Sequence, residues 1–413
     1  MPTDAAAAMR SVRSACWRAR APTARNELLI SVGRANRGNR FQVSQKWQPE
    51  RYRRASIPDA IMSRVSYPKI ELHVHLEGTV RHAALLRFAR RNGVALPADS
   101  VAELARIYEF RDFRHFLDVW WMTTGALLTE SDFRQVVVDY AAEAASHGAV
   151  YLEGIFSPSE PASRGVSYEE VFAGYCDGAQ EAWESHGVRV GLTPDIVGGF
   201  PIEAAEDTVT HAIANASRGI VGIGLGGPEG EYPPQLYERT FARARDAGLG
   251  SVPHAGEADG PASVRGALDV LGADRIRHGI RATEDPGLLR ELAERGTVLD
   301  VCPISNLRTG VVRSLAQHPL PELLAAGVQC TINTDDPAMF GSDLSIEYAT
   351  ALGLGASAMQ CYTAGVNGAL CDESSRAELR RIGAAFEWDA VAAAREASAA
   401  AAGPAPPGNG TGP

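Results

Sequence analysis

One pattern constrains this 413-residue chain more than any other: an amphipathic stretch ends at a glycine, and a short apolar run follows at once. The instances begin at His147 (HGAVYLEGIF), His186 (HGVRVGLTPDI), Arg218 (RGIVGIGLGG) and Ala247 (AGLGSVPHAG). Three more begin at Leu271 (LGADRIRHG), Arg295 (RGTVLDVCP) and Ala326 (AGVQCTINTDD). Glycine just past a helix end takes the left-handed conformation that a β-carbon disfavours, so each instance reads as a helix stop followed by a strand. Ser167 with Glu170 three residues later reads as a capping box, a helix start. Adding IELHVHL from Ile70 gives eight strands that alternate with helices. Strands joined through helices run parallel, and eight of them fit a closed (β/α)₈ TIM barrel; a doubly wound open sheet is the alternative. The connection from Leu76 to Ala149 is too long for a single crossover. It is expected to fold as extra helices capping the carboxyl-end mouth of the barrel.

Composition narrows the class. With 45% hydrophobic and 22% charged residues the chain suits a globular core, and no apolar run reaches the length of a membrane-spanning helix. A net charge of −10 argues against a general nucleic-acid binder. Six cysteines are too sparse for a disulfide scaffold, and Cys302 and Cys330 sit in strand-like segments. Both are expected to be reduced core thiols, which points to the cytoplasm. Charge is uneven along the chain: residues 1–66 hold 13 Lys and Arg against Asp4, Glu27, Glu50 and Asp59, a net +9. That arm has no apolar period and reads as disordered, with the barrel domain over 67–396 and an Ala/Pro/Gly tail over 397–413. The arm fits an upstream extension with a functional start at Met62, a targeting peptide, or a basic tail.

Active sites of such barrels lie at the carboxyl ends of the strands. Reading those ends gives His73 and His75, then Glu153, Asp195, Gly226 and Gly227, His254, His278, Asn306, and Asp335 with Asp336. His73 and His75 are two apart on one strand and therefore share a face. By itself that pair reads as inward histidines bonded to backbone. His254 and Asp335 at two further strand ends turn it into a four-donor site of the nitrogen and oxygen type that zinc accepts. Barrel hydrolases with two metals usually bridge them with a carboxylated lysine. The only lysines are Lys46 and Lys69, and Lys69 opens the first strand, far from the mouth. One zinc per chain is therefore expected, able to lower its water's pKa to about 7. Glu257, three residues past His254, is placed to carry a proton, or else is a first-turn helix glutamate. His278 is placed to act as base or electrostatic support.

In this order and spacing, PKIELHVHLEG, PHAGE, RIRHG, CPISN and TINTDDPAMF resemble the adenosine deaminase family of the amidohydrolase superfamily. The resemblance covers about Pro68 to Ala351 and implies zinc-dependent hydrolytic deamination of the 6-amino group of a small-molecule purine. By motif position it implies zinc on His73, His75, His254 and Asp335. Glu257 would protonate ring N1, and His278 would support the attacking oxygen. His75, Glu77, Gly227, Asp336, Phe116 and Trp120 make up the implied substrate-binding set. Asp336 would meet N7, Gly227 would meet N3 through its backbone, and Phe116 and Trp120 would form an aromatic lid. For the two aromatics, core packing of a mouth-capping helix is the competing reading.

Two segments depart from the nucleoside-specific pattern. Glu77 stands where many relatives have an aspartate that contacts the ribose 5′-hydroxyl, and LGGPE (Leu225 to Glu229) replaces LAGDE. Both variants occur in adenine deaminases and in the aminodeoxyfutalosine deaminases of menaquinone synthesis. Adenosine, converted to inosine and ammonia, is taken as the expected substrate, with those two substrates as alternatives. The competing class is a catalytically inactive barrel that acts as a binding module; the intact ligand set and Glu257 argue against it.

Overall fold

The computed structural model describes residues 66–110 and 113–393. The expectations about the basic arm and the Ala/Pro/Gly tail fall on residues outside that range. Nine strand segments lie within it: β1 (Lys69–His75), β2 (Ala149–Phe156), β3 (Arg189–Val197), β4 (Gly222–Gly226), β5 (Gly250–Ser251), β6 (His254–Ala255), β7 (Arg275–His278), β8 (Val298–Val301) and β9 (Gln329–Ile332). Every ladder is parallel, in the order β1 to β5 and β6 to β9. Segments β5 and β6 are two pieces of the expected fifth strand. Pro253 between them has no N–H to give a ladder, yet its carbonyl still accepts from Arg277 N–H at 3.0 Å, and Val252 N–H reaches Ile223 O at 2.9 Å. The sheet closes between its last strand and its first through the bridge from Val74 to Asp335. The result is the eight-stranded parallel barrel that the repeat implied.

The local signals act as expected. Gly148, Gly187, Gly219, Gly248, Gly272, Gly296 and Gly327, one in each repeat, all have positive φ, between 60° and 104°. Ser167 and Glu170 form a reciprocal capping box. The long connection folds into α1 (His82–Asn92), α2 (Val101–Ile107), α3 (Phe113–Thr124) and α4 (Glu130–Ser146). The last of these is the crossover helix, packed on β2 and on the following helix α5 (Tyr168–His186), and the first three are the insertion. Cys302 and Cys330 are buried free thiols. No helix among the described residues is long and apolar enough to cross a membrane.

The barrel interior is charged. Arg275 and Arg277 alternate with Ile276 on β7, so both point to one face, and both are fully buried. Arg275 bonds Asp300 and Glu153 at 2.6 Å each and also donates to Leu72 O. Arg277 pairs with Asp195 and donates to Thr193 Oγ1 at 2.7 Å. Glu153, read from sequence as a strand-end group of the mouth, is instead a counter-charge of Arg275, whereas Asp195 answers Arg277 and also reaches His254 at the mouth. Strand periodicity gives the face a residue occupies and not its depth along the barrel axis. Lys69 sits as expected at the foot of β1, its Nζ bonded to His147 O at 2.6 Å.

Removing Arg275 strands two buried carboxylates. Arg275→Ala is expected to cost about 3–5 kcal/mol of stability. Glu291→Ala, which breaks partly exposed pairs with Arg265 and Arg295, should cost under about 1 kcal/mol. Urea denaturation of the two variants measures the difference.

Candidate active site

Four side chains converge at the carboxyl end of the barrel. His73 and His75 come from β1, His254 from the start of β6, and Asp335 from just beyond β9. His254 Nε2 lies 3.2 Å from His73 Nε2 and 3.2 Å from His75 Nε2. Asp335 Oδ1 lies 3.2 Å and 3.3 Å from the same two nitrogens of β1. Three imidazole nitrogens so close cannot all satisfy one another by hydrogen bonds, because a neutral ring carries one donor. Burial holds His73 and His254 well below the usual histidine range and lowers His75 to about 4, so all three rings are neutral. His254 Nδ1 donates to Leu225 O at 2.9 Å, which leaves the Nε2 lone pair facing the cluster. A tetrahedron of donors with edges near 3.2 Å has its centre about 2.0 Å from each, within the range of zinc–nitrogen and zinc–oxygen bonds. The four residues fit a metal ion.

The donors are held from behind. Ser305 Oγ donates to Asp335 Oδ2 at 2.5 Å, and Asp195, already paired with Arg277, lies 3.5 Å from His254 Nδ1. Cys302 Sγ stands 3.6 Å from His73 Nδ1. Asp335 and His278 are the two non-glycine residues with positive φ among those described, at 61° and 62°. Such conformations cost of order 1–3 kcal/mol each and cluster at functional sites. His278 is 1% exposed; its Nε2 is 3.6 Å from Glu257 Oε2 and 3.8 Å from Asp335 Oδ2. Burial raises the Glu257 carboxyl above its usual range; His278 opposes this, and the carboxylates of Asp335 and Glu229 add to it. A carboxyl shifted in this direction keeps its proton to higher pH than a free glutamic acid, the direction that suits a general acid.

Glu229 was missed by the sequence reading, although LGGPE had been singled out. Its carboxylate accepts the backbone N–H groups of Gly256, Glu257, Ala258 and Asp259 and the hydroxyl of Ser263. One side chain thus fixes the loop that carries Glu257. The signal was an acid just past a strand end, but its partners are main-chain groups, which have no sequence signature.

The expected substrate contacts divide. Trp120, on α3, stands edge-on to His75 with ring centroids 6.1 Å apart, so this aromatic reaches the cluster. Phe116 stacks on Phe340 at 5.6 Å and meets Phe110 at 5.4 Å, the packing arrangement. Asp336 is beside the cluster and 7% exposed; burial, then Asp335, Glu77 and Glu257, push its carboxyl well above the usual range. Gly227 has φ 100°, and a β-carbon there would meet Gly198 backbone at 2.9 Å, so glycine is required. Glu77, expected to face the mouth, is 3% exposed in a short 3₁₀ turn. Its Oε1 accepts Ser157 N–H at 2.8 Å, and burial raises its carboxyl to about 8. The turn after β1 folds the side chain under the surface, a placement that the alternation along a strand does not predict.

A parallel (β/α)₈ barrel with three histidines and an aspartate at its mouth, flanked by a carboxylic acid and a further histidine, is the architecture of a metal-dependent hydrolase of the amidohydrolase kind. A family model described as adenosine deaminase matches residues 68–382, and the chain belongs to that family. It is 50% identical over 350 residues to an aminodeoxyfutalosine deaminase of Acidothermus cellulolyticus, covering 83% of this chain and 98% of the relative. It is 40% identical over 281 residues to an adenine deaminase of Sphingopyxis alaskensis, covering 68% of this chain and 82% of that one. Among solved structures it resembles adenine deaminase from Arthrobacter aurescens, with a TM-score of 0.72 and 34% identity over 77% of this chain and 98% of that one. It also resembles an amidohydrolase from Burkholderia ambifaria with bound zinc, with a TM-score of 0.74 and 28% identity over 82% and 94% of the two chains. The protein is a purine deaminase of this family.

Losing the charged acceptor at Glu229 should loosen the Glu257 loop while leaving the four metal donors in place. Glu229→Gln is expected to lower kcat about 10–100-fold, the equivalent of one lost charge-assisted hydrogen bond. Ammonia release, measured alongside metal content by mass spectrometry, checks both halves of the expectation.

Proposed function

We propose that this protein is a zinc-dependent deaminase of 6-aminodeoxyfutalosine. The observation that carries this reading is the half identity to the Acidothermus enzyme over nearly its whole length. The adenosine reading suggested by the family resemblance gives way to it on that identity. Adenine is the second reading, favoured by the adenine deaminases that are 40% identical to this chain.

His73, His75, His254 and Asp335 would hold one zinc ion, and among the described residues the only lysine is tied down at the foot of the barrel. When bound, zinc lowers the pKa of a coordinated water toward about 7. The protein's residues do the rest. Glu257 delivers a proton to ring N1, which removes the aromatic stabilisation at C6 and opens that carbon to addition of water. His278 steadies the incoming oxygen, and Asp336 would meet N7. One proton of the water restores Glu257, and the other passes to the amino group, which leaves as ammonia; the 6-oxo product keeps the proton on N1.

Three measurements test this. Comparison of kcat/KM for 6-aminodeoxyfutalosine, adenine and adenosine should place the first highest, and a lead for either of the others overturns the substrate assignment. Metal analysis should return one zinc per chain, with occupancy falling in His254→Ala. Glu257→Gln should keep its zinc and lose at least about 100-fold in kcat, as expected for removal of a general acid.

A further inference from the structure

His318 lies in the segment HPL ahead of the helix Leu320–Ala325, 4% exposed, and neither the metal cluster nor the proposed chemistry uses it. Its hydrogen bonds run in one direction toward the site. Leu320 N–H donates to His318 Nδ1 at 3.0 Å. A backbone N–H can only donate, so Nδ1 is bare and the ring's proton sits on Nε2. Burial, with His278 adding to it, lowers His318 to about 4, so the ring is neutral. Nε2 faces the Asn306 side chain at 3.3 Å, and an N–H there requires the amide oxygen, Oδ1. That orientation turns Asn306 Nδ2 toward His278 Nδ1 at 3.2 Å. An amide nitrogen also only donates. Reversing the amide would set N–H against N–H at His318 and lose the donor to His278. His278 Nδ1 is therefore an acceptor, and its single proton is on Nε2. At 3.6 Å and 3.8 Å from the Glu257 and Asp335 carboxylates, that N–H is beyond hydrogen-bond length of either and points into the space between them.

We propose that His318 is a positioning residue that, through Asn306, holds His278 as the Nε2–H tautomer, so that His278 presents a hydrogen-bond donor to the attacking oxygen. The identity of the acceptor rests on the deaminase reading; the tautomer does not.

Zinc-loaded protein labelled with ¹⁵N-histidine and assigned with a His278→Gln spectrum tests this directly. Two-bond proton–nitrogen correlations should show His278 with a protonated Nε2 and a bare Nδ1. In His318→Phe the His278 signals should move toward the other tautomer, with kcat down about tenfold, the scale of one hydrogen bond, and zinc content unchanged. His318→Gln, which keeps a side-chain donor for Asn306 Oδ1, should restore most of the signal and the rate. If the phenylalanine variant does not fold, Asn306→Asp serves instead: a carboxylate only accepts, so a proton should appear on His278 Nδ1. A wild-type His278 protonated on Nδ1, or a His278 signal unmoved in His318→Phe or Asn306→Asp, overturns the proposal. The spectra need no substrate, so they stand or fall separately from the choice of 6-aminopurine.

Discussion

Two backbone hydrogen bonds close the barrel, from His75 N–H to Asp335 O at 2.8 Å and from Asp335 N–H to His73 O at 3.1 Å. The same two bonds set three of the four metal donors side by side, so closure of the fold and assembly of the site are one event. Around this seam the buried Glu71 carboxyl accepts Thr334 N–H, Thr334 Oγ1 and the Tyr140 hydroxyl, and Asn333 Oδ1 accepts Leu72 N–H at 2.7 Å. The left-handed backbone of Asp335 persists because these contacts over-determine it. An open sheet would leave Asp335 without its register against β1.

A second set of groups stands behind those in the site. Asp195 answers Arg277 and stands behind His254; Ser305 bonds Asp335; Glu229 gathers the loop of Glu257; Asn306 joins His278 to His318. In a buried setting each unpaired polar group costs about 1–3 kcal/mol, so these pairings favour one arrangement of the groups they hold. Such a shell keeps reacting groups in place before substrate arrives, which is where much of an enzyme's rate advantage originates.

Reaction and substrate are specified by different parts of the molecule. The chemistry lies in residues at strand ends, whose positions the barrel dictates. On the proposed reading, the turns and helices around the mouth would select the substrate, among them the loop of Gly227 and α3 with Trp120. One family can therefore keep its metal donors while accepting adenine in some members and a larger nucleoside in others, consistent with the relatives that this chain resembles.

Much of this was legible in the order of residues. The repeat of helix, glycine and strand is a local signal, since a positive φ and a strand's alternation depend on near neighbours alone, and the barrel and its eight strands follow from it. The metal donors were legible because each stands at a strand end and its chemistry is its own. The depth of Glu153, the burial of Glu77, the carboxylate of Glu229 and the relay from His318 were not. Glu153 meets Arg275 across 122 residues, and Glu77 meets Ser157 across 80. Glu229 and His318 act through main-chain N–H groups that every residue but proline possesses. Sequence by itself determined the class of fold and the metal-binding chemistry, because these rest on residue type and local period. Tertiary structure alone decided which buried charge answers which, and which tautomer faces the substrate, because those depend on distances that exist only once the barrel has closed.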